Sequence, residues 1–121
     1  MEPRGNVLIC DDDAGFAGMI RRVLSSDGWN VVGVVSMAVD AIDFARVVHP
    51  DAVIMDISLA GMSGIEAIPA LQEAGCAVVL CSAFSSSAGA TARAGAAAIV
   101  DKSEIYTLPD VLAGLTAKAD A

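Results

Sequence analysis

Five short apolar runs, each followed by a longer segment of helical character, constrain the fold of this chain more than any other feature. The runs are residues 7–10, 31–35, 52–55, 77–81 and 97–100. Each is apolar at consecutive positions, which is typical of strands buried on both faces of a parallel sheet. Because right-handed crossovers join such strands, helices should lie on both faces. The pattern predicts an α/β fold with a doubly wound parallel sheet.

The first connecting segment predicts a helix most clearly. Phe16, Ile20 and Leu24 fall at i, i+4 and i+8, so they share one apolar face. Asp13 directly precedes this pattern and is a good candidate for the helix N-cap. We therefore expect a helix that begins just after Asp13.

Two later segments carry mixed signals. Ser63 and Glu66 have the spacing of a capping box, which predicts a third helix. Pro69 falls inside that helix, where it should kink the helix or disrupt its first turns. Residues 85–95 are small and include glycine, so they predict only a short or mobile element.

Composition excludes several classes of function. Fifteen acidic and seven basic residues give a net charge of −8, which disfavours direct binding to nucleic acid. The length of 121 residues predicts one domain, residues 1–121.

The N-terminus lacks a signal-peptide pattern and no apolar run is long enough to cross a bilayer, so we expect a cytoplasmic protein with no membrane contact. Cys10, Cys76 and Cys81 lie in or beside apolar runs, which predicts buried thiols.

Polar side chains gather where the predicted strands end. Asp11 and Asp12 follow the first run, Asp56 the third, Ser82 the fourth, and Lys102 lies just beyond the fifth. In a doubly wound sheet, ligands bind outside the carboxyl ends of the strands. The sequence therefore predicts a functional site that combines carboxylates, a hydroxyl and an ammonium.

This set of groups suits phosphoryl chemistry. Adjacent carboxylates repel one another unless a cation joins them, and Mg²⁺ prefers oxygen ligands of this kind. A carboxylate can also act as the nucleophile that forms an aspartyl phosphate. A lysine and a hydroxyl would then neutralise charge on the transferred group. Asp56, at the end of the central run, is the favoured nucleophile.

Four motifs give the chain a family resemblance: VLICDDDAGF, DAVIMDISLAGMSGIEA, VVLCSAF and AGAAAIVDKS. In this order, over about residues 6–118, they resemble those of response-regulator receiver domains, the CheY-like phosphoacceptors of two-component signalling. The resemblance implies a (βα)5 sandwich with strand order 2-1-3-4-5. The GIEA stretch and the Lys102-Ser103 pair are most similar to receivers of LuxR-type regulators.

The resemblance also implies roles for individual residues. Asp56 would accept a phosphoryl group from a sensor histidine kinase or phosphotransfer protein, and Ser82 and Lys102 would bind its oxygens. The implied Mg²⁺ ligands are Asp11, Asp12, Asp56 and the backbone carbonyl of Ser58. Such a domain is not an enzyme, apart from Mg²⁺-dependent self-phosphorylation and self-dephosphorylation. Its output would pass to a downstream protein or to a second copy of the chain.

Three positions depart from the family pattern. Ala60 and Ser103 stand where the family usually has proline. Ile99 stands where the family usually has an aromatic residue that turns inward on activation. Tyr106 lies beyond that strand and does not replace the aromatic residue. These departures leave the phosphorylation site intact and affect the expected output surface.

Two other classes of function stay open. One is a receiver-like binding module that works without phosphorylation, which the departure at Ile99 favours. The other is a phosphatase, because the Asp11-x-Asp13 spacing is similar to the nucleophile motif of haloacid-dehalogenase-type enzymes. That motif normally continues with glycine and then threonine or valine, whereas Ala14 and Gly15 follow here. A nucleotide-binding P-loop motif is absent from the sequence.

Overall fold

A computed structural model describes residues 4–59, 61–83 and 95–120, with side chains as far as residue 115. The strands are β1 (Asn6–Cys10), β2 (Asn30–Val35), β3 (Ala52–Asp56), β4 (Ala77–Ser82) and β5 (Ala98–Asp101). The helices are α1 (Ala14–Ser26), α2 (Ala38–Val48), α3 (Gly64–Glu73) and α4 (Leu108–Asp120), and a 3₁₀ segment, Lys102–Thr107, leads into α4. All five predicted strands are present, and no strand end differs from its predicted position by more than one residue.

The five strands form one parallel sheet in the order β2-β1-β3-β4-β5, as predicted. The three inner strands are buried along almost their whole length. The outer strands differ from the expectation of burial on both faces. Val34 of β2 is 41% exposed and Ile99 of β5 is 38% exposed, because each lies on a strand with a neighbour on only one side.

Two apolar cores lie on opposite faces of the sheet. On one face, α1 and α4 pack over alternate residues of the strands, such as Val7 and Ile9. On the other face, α2 and α3 pack over the intervening residues, such as Leu8 and Cys10. This alternation follows from the two-residue period of a strand. It gives a helix–sheet–helix sandwich, which leaves the ends of the strands open for a site.

The capping residues predicted for α1 and α3 are confirmed, but the predicted effect of a proline in α3 is not fully seen. The side chain of Asp13 accepts a hydrogen bond from the Phe16 amide, so α1 begins where its cap predicts. Ser63 and Glu66 form the complete capping box at the start of α3. Of the two effects predicted for Pro69, a kink or disrupted first turns, the disruption is absent, because α3 runs from Gly64 through Pro69 to Glu73. Its capping box and its buried side chains, Ala67, Ile68 and Leu71, stabilise the helix despite the missing amide donor.

The predicted weak element at residues 85–95 lies outside the described residues except for Gly95, and Ala60 lies outside them as well. Within the part of the chain that the structure describes, no helix is both long and apolar enough to cross a membrane. All three cysteines are buried and none forms a disulfide, as the sequence predicted.

Candidate functional site

The register of the sheet brings the predicted site residues to one edge. Cys10 pairs with Met55, so Asp11 and Asp56, which each come one residue later, lie side by side. Asp56 pairs with Cys81, and Ser82 pairs with Asp101. The ends of β1, β3, β4 and β5 therefore present their polar residues together, as the sequence predicted for a parallel sheet.

Backbone amides hold the two buried carboxylates. Asp11 is 3% exposed and Asp56 is 5% exposed. The Asp13 amide donates to Asp11 Oδ1 at 2.9 Å, and the Ser58 amide donates to Asp56 Oδ1 at 3.2 Å. In both residues one oxygen is thus fixed by the loop that follows the strand. The second oxygen of each carboxylate, Oδ2, lies beside a cation that the two residues share.

That cation is the ammonium of Lys102. Its Nζ lies 3.3 Å from Asp11 Oδ2 and 3.3 Å from Asp56 Oδ2. Lys102 stands at the start of the 3₁₀ segment, whose first turn is capped by the side chain of Asp101. Asp101 Oδ1 accepts hydrogen bonds from both the amide and the hydroxyl of Ser103. This cap fixes the backbone from which Lys102 reaches across to the carboxylates.

Burial dominates the electrostatics of Asp56. Burial raises the pKa of its carboxyl, and so does repulsion from Asp11, while the Ser58 amide and Lys102 only partly offset them. Burial lowers the pKa of Lys102, but the carboxylates of Asp56 and Asp11 outweigh burial and raise it. The pKa of Asp56 is thus raised mainly by burial, and that of Lys102 by the two carboxylates beside it. One ammonium lies between two carboxylates. The site is therefore short of positive charge.

The residues at this edge fit a divalent cation such as Mg²⁺. Asp11, Asp12 and Asp56 each offer an oxygen, and these oxygens lie within 4.8 Å of one another. Among the described residues, Asp11 Oδ2 is fully buried and accepts no hydrogen bond, and its nearest cation is Lys102 Nζ at 3.3 Å. Buried acceptors normally have a partner, so this oxygen is suited to a ligand. An all-oxygen donor set with a shortage of positive charge is what Mg²⁺ prefers.

The remaining predicted residues are distributed as follows. Ser82 is buried, 6% exposed, at the end of β4, the strand next to the one that carries Asp56. Ser58 is exposed in the loop after β3, and its amide rather than its side chain contacts Asp56. Asp12 is exposed, next to the buried Asp11. Asp13 caps α1 and does not belong to the acidic cluster, as expected.

The structure adds two features that sequence reasoning missed. Gly64 is buried beneath the loop after β3, and a Cβ there would collide with the backbone carbonyl of Asp56. A glycine in the first turn of a capped helix was the available signal for this close approach. The second feature is a cavity of about 380 Å³ beside the carboxylates, lined by Asp11, Asp12, Ala14, Val34, Val35, Ser36 and Asp40.

Ile99 and Ser103, the described positions that depart from the family pattern, lie in β5 and in the 3₁₀ segment that follows it. Ile99 is partly exposed on the edge strand β5, and Tyr106 is 69% exposed in the 3₁₀ segment. Tyr106 therefore does not occupy the position of an inward-turning ring. Ser103, which replaces a proline of the family pattern, uses its amide and hydroxyl to bind Asp101 instead.

This five-stranded fold, with buried carboxylates and a lysine at one sheet edge, defines the class of receiver domains. Comparison with known families agrees, since residues 7–111 match the response regulator receiver domain. The chain belongs to that family, whose members act in two-component signalling and are typically phosphorylated on an aspartate. Receiver domains are regulatory modules rather than enzymes, they bind Mg²⁺ through acidic residues, and they interact with histidine kinases or phosphotransfer proteins.

Similar proteins include a transcriptional regulatory protein, a receiver-domain structure and a response-regulator structure. The chain is 32% identical over 80 residues to transcriptional regulatory protein DesR of Bacillus subtilis, a match that covers 65% of this chain and 40% of DesR. It therefore spans less than half the length of that relative. The receiver domain of the putative response regulator NarL from Mycobacterium tuberculosis has a TM-score of 0.83 and 25% identity, covering 100% of this chain and 99% of that one. A LuxR-family response regulator from Aurantimonas has a TM-score of 0.77 and 27% identity, covering 91% and 86%. The predicted likeness to LuxR-type receivers is thus confirmed.

Proposed function

We propose that this chain is a phosphorylation-dependent switch in which Asp56 accepts the phosphoryl group. The observation that carries the proposal is the shared contact of Lys102 Nζ, 3.3 Å from both Asp11 Oδ2 and Asp56 Oδ2. It joins a buried nucleophile, a second carboxylate and a fixed cation at one point. Such a constellation suits phosphoryl transfer, in which positioning and charge neutralisation supply most of the catalysis.

The transfer step uses the protein groups at this edge together with a phosphoryl donor. A carboxylate oxygen of Asp56 attacks the phosphorus of a phosphohistidine, so an O–P bond forms while the N–P bond breaks. The bonding electrons return to the imidazole nitrogen of the donor, which then takes a proton. Lys102 and Ser82 bind oxygens of the transferred group, and the buried position of Asp56 limits access by water.

The proposed Mg²⁺ ligands are Asp11, Asp12, Asp56 and the backbone carbonyl of Ser58. Bound there, Mg²⁺ would neutralise negative charge on the carboxylates and on the phosphoryl oxygens. The same residues account for the proposed self-phosphorylation from small phosphodonors and for self-dephosphorylation. Both reactions use the site that the kinase would use.

The proposal extends to the setting of the domain. Residues 1–121 act as one cytoplasmic receiver domain, phosphorylated by a sensor histidine kinase or a phosphotransfer protein. The net charge of −8 argues against direct contact with nucleic acid. The output therefore passes through a downstream protein or a second copy of the chain. The added charge on Asp56 would bias the segments that follow β4 and β5.

The test is phosphorylation by acetyl phosphate, with and without Mg²⁺, followed by intact mass spectrometry. We expect a single phosphoryl adduct that requires Mg²⁺ and is absent from Asp56→Asn. Asp43→Asn, which removes an exposed carboxylate of α2, is the matched control and should be phosphorylated like the parent. A folded parent that forms no adduct would support the phosphorylation-independent binding module instead.

A further inference from the structure

The ring of Phe16 lies against the ammonium of Lys102. The Lys102 Nζ is 4.7 Å from the centre of the ring. Phe16 stands in the first turn of α1, where its amide donates to the capping side chain of Asp13 at 3.1 Å. The ring is partly buried and packs against the core between the sheet and α1. Its position is therefore set by a helix cap and by the core together.

The contact has the geometry of a cation–π interaction. A lysine ammonium within about 6 Å of a ring centre is attracted by the negative face of the aromatic system. The lysine side chain is long and flexible, and ordering it costs rotamer entropy. Two carboxylate oxygens at 3.3 Å and one aromatic ring together leave the ammonium few alternative positions.

We propose that Phe16 is a positioning residue for phosphoryl transfer, which acts by holding the Lys102 ammonium beside Asp56 and Asp11. The inference rests on the proposed function of Asp56. Phe16 contacts Lys102 rather than the reacting oxygen, so its influence passes through the lysine. Loss of the ring face frees the ammonium to move toward solvent, since the Lys102 side chain is already 24% exposed.

Two substitutions separate the ring face from simple packing. Phe16→Leu keeps an apolar side chain on the core but removes the aromatic system. Phe16→Tyr keeps the ring and is the conservative control. A cation–π contact of this strength corresponds to about a two- to tenfold change in rate. We expect Phe16→Leu to slow phosphorylation by acetyl phosphate by that factor and Phe16→Tyr to stay within about twofold of the parent.

A double-mutant cycle tests whether the effect passes through the lysine. Phosphorylation rates in Mg²⁺ are measured for the parent, Phe16→Leu, Lys102→Met and the double variant. If Phe16 acts through Lys102, then Phe16→Leu slows the parent but leaves the Lys102→Met rate nearly unchanged. A purely structural role would slow both backgrounds by the same factor and would overturn the inference.

The outcomes separate this inference from the proposed function. If the parent forms the adduct and Phe16→Leu matches its rate, the inference about Phe16 is wrong while Asp56 keeps its role. If the folded parent forms no adduct at all, the proposed function is wrong and the role of Phe16 falls with it. Slower phosphorylation only when Lys102 is present supports both.

Discussion

Lys102 reaches from the end of β5 to Asp56 at the end of β3, with 3.3 Å between Nζ and Oδ2. The same nitrogen is equally close to Asp11 Oδ2. One ammonium thus serves two buried carboxylates at the edge where a cation is expected to bind. Lys102 and a divalent cation therefore compete electrostatically for the same charge.

That competition predicts how removal of the lysine affects metal binding. Lys102→Met should bind Mg²⁺ about three- to tenfold more tightly, because one positive charge no longer repels the incoming cation. Titration calorimetry measures the change in Kd. Arg46→Met, which removes an exposed charge in the last turn of α2, is the matched control and should leave Kd close to the parent value. Weaker Mg²⁺ binding by Lys102→Met would contradict the proposed metal ligands.

The raised pKa of Asp56 predicts a pH-dependent stability difference. A carboxyl whose pKa is raised on folding costs stability in its charged form, so the cost grows as pH rises above the ordinary value of 3.8. Asp56→Asn should therefore have a higher Tm than the parent at pH 7 in EDTA. The gain should fade as pH drops below the ordinary pKa, where the parent carboxyl is also neutral.

Added Mg²⁺ provides the second arm of this experiment. Mg²⁺ should raise the Tm of the parent more than that of Asp56→Asn, because a ligand that binds the folded state more tightly stabilises it more. Asp43→Asn removes a carboxylate from the exposed surface of α2 and should follow the parent in both buffers. Equal Tm values for the parent and Asp56→Asn at pH 7 in EDTA would contradict this prediction. They would show that the Ser58 amide and Lys102 fully offset the cost of burying the Asp56 charge.

Much of this site could be predicted because parallel strands align their ends. Asp11, Asp56 and Ser82 each follow an apolar run directly. The positions of the runs were therefore enough to predict that these residues lie at one edge of the sheet. The neighbours of Lys102 were harder to predict. The helical spacing of Phe16 indicates only a core face, and contact with Lys102 depends on how α1 packs on the sheet.

Local sequence patterns also could not predict that the outer strands are exposed or that α3 continues past Pro69. Ile99 and Val34 lie in runs as apolar as the buried ones, and their exposure follows from the order of strands in space. Pro69 carries a strong local signal against a helix, but tertiary packing of the neighbouring turns overrides it. Local propensity thus fails where long-range contacts decide.

The close approach of Gly64 to the Asp56 backbone predicts a sharp effect of a single methyl group. A Cβ at position 64 would also lie 2.8 Å from Met55 Cγ, so Gly64→Ala must displace the end of β3 or the start of α3. We expect a loss of about 1–3 kcal/mol in the free energy of unfolding, measured by urea denaturation. Phosphorylation should slow as well, because Asp56 moves with its backbone.

The matched control is a glycine in open space. Gly114 lies in α4, and a Cβ there would meet no atom of the described residues within 4 Å. Gly114→Ala should leave stability unchanged or raise it by up to about 1 kcal/mol, since alanine favours a helix more than glycine does. Equal effects of the two substitutions would argue against the tight packing of α3 beneath Asp56.

The three cysteines provide a test of how tightly the sheet is packed near the site. Burial, followed by nearby carboxylates, raises the pKa of Cys10 to about 12, and burial also raises that of Cys81 to about 12. Because the thiolate is the reactive form, neither residue should react with a thiol reagent at pH 8 in the native protein. Cys76 is buried as well and its pKa is raised, so we expect negligible labelling until denaturant exposes all three thiols. Val47→Cys, at a position 81% exposed, should add one thiol that reacts at once. Rapid native labelling of Cys10 and Cys81 would contradict their placement in the inner strands.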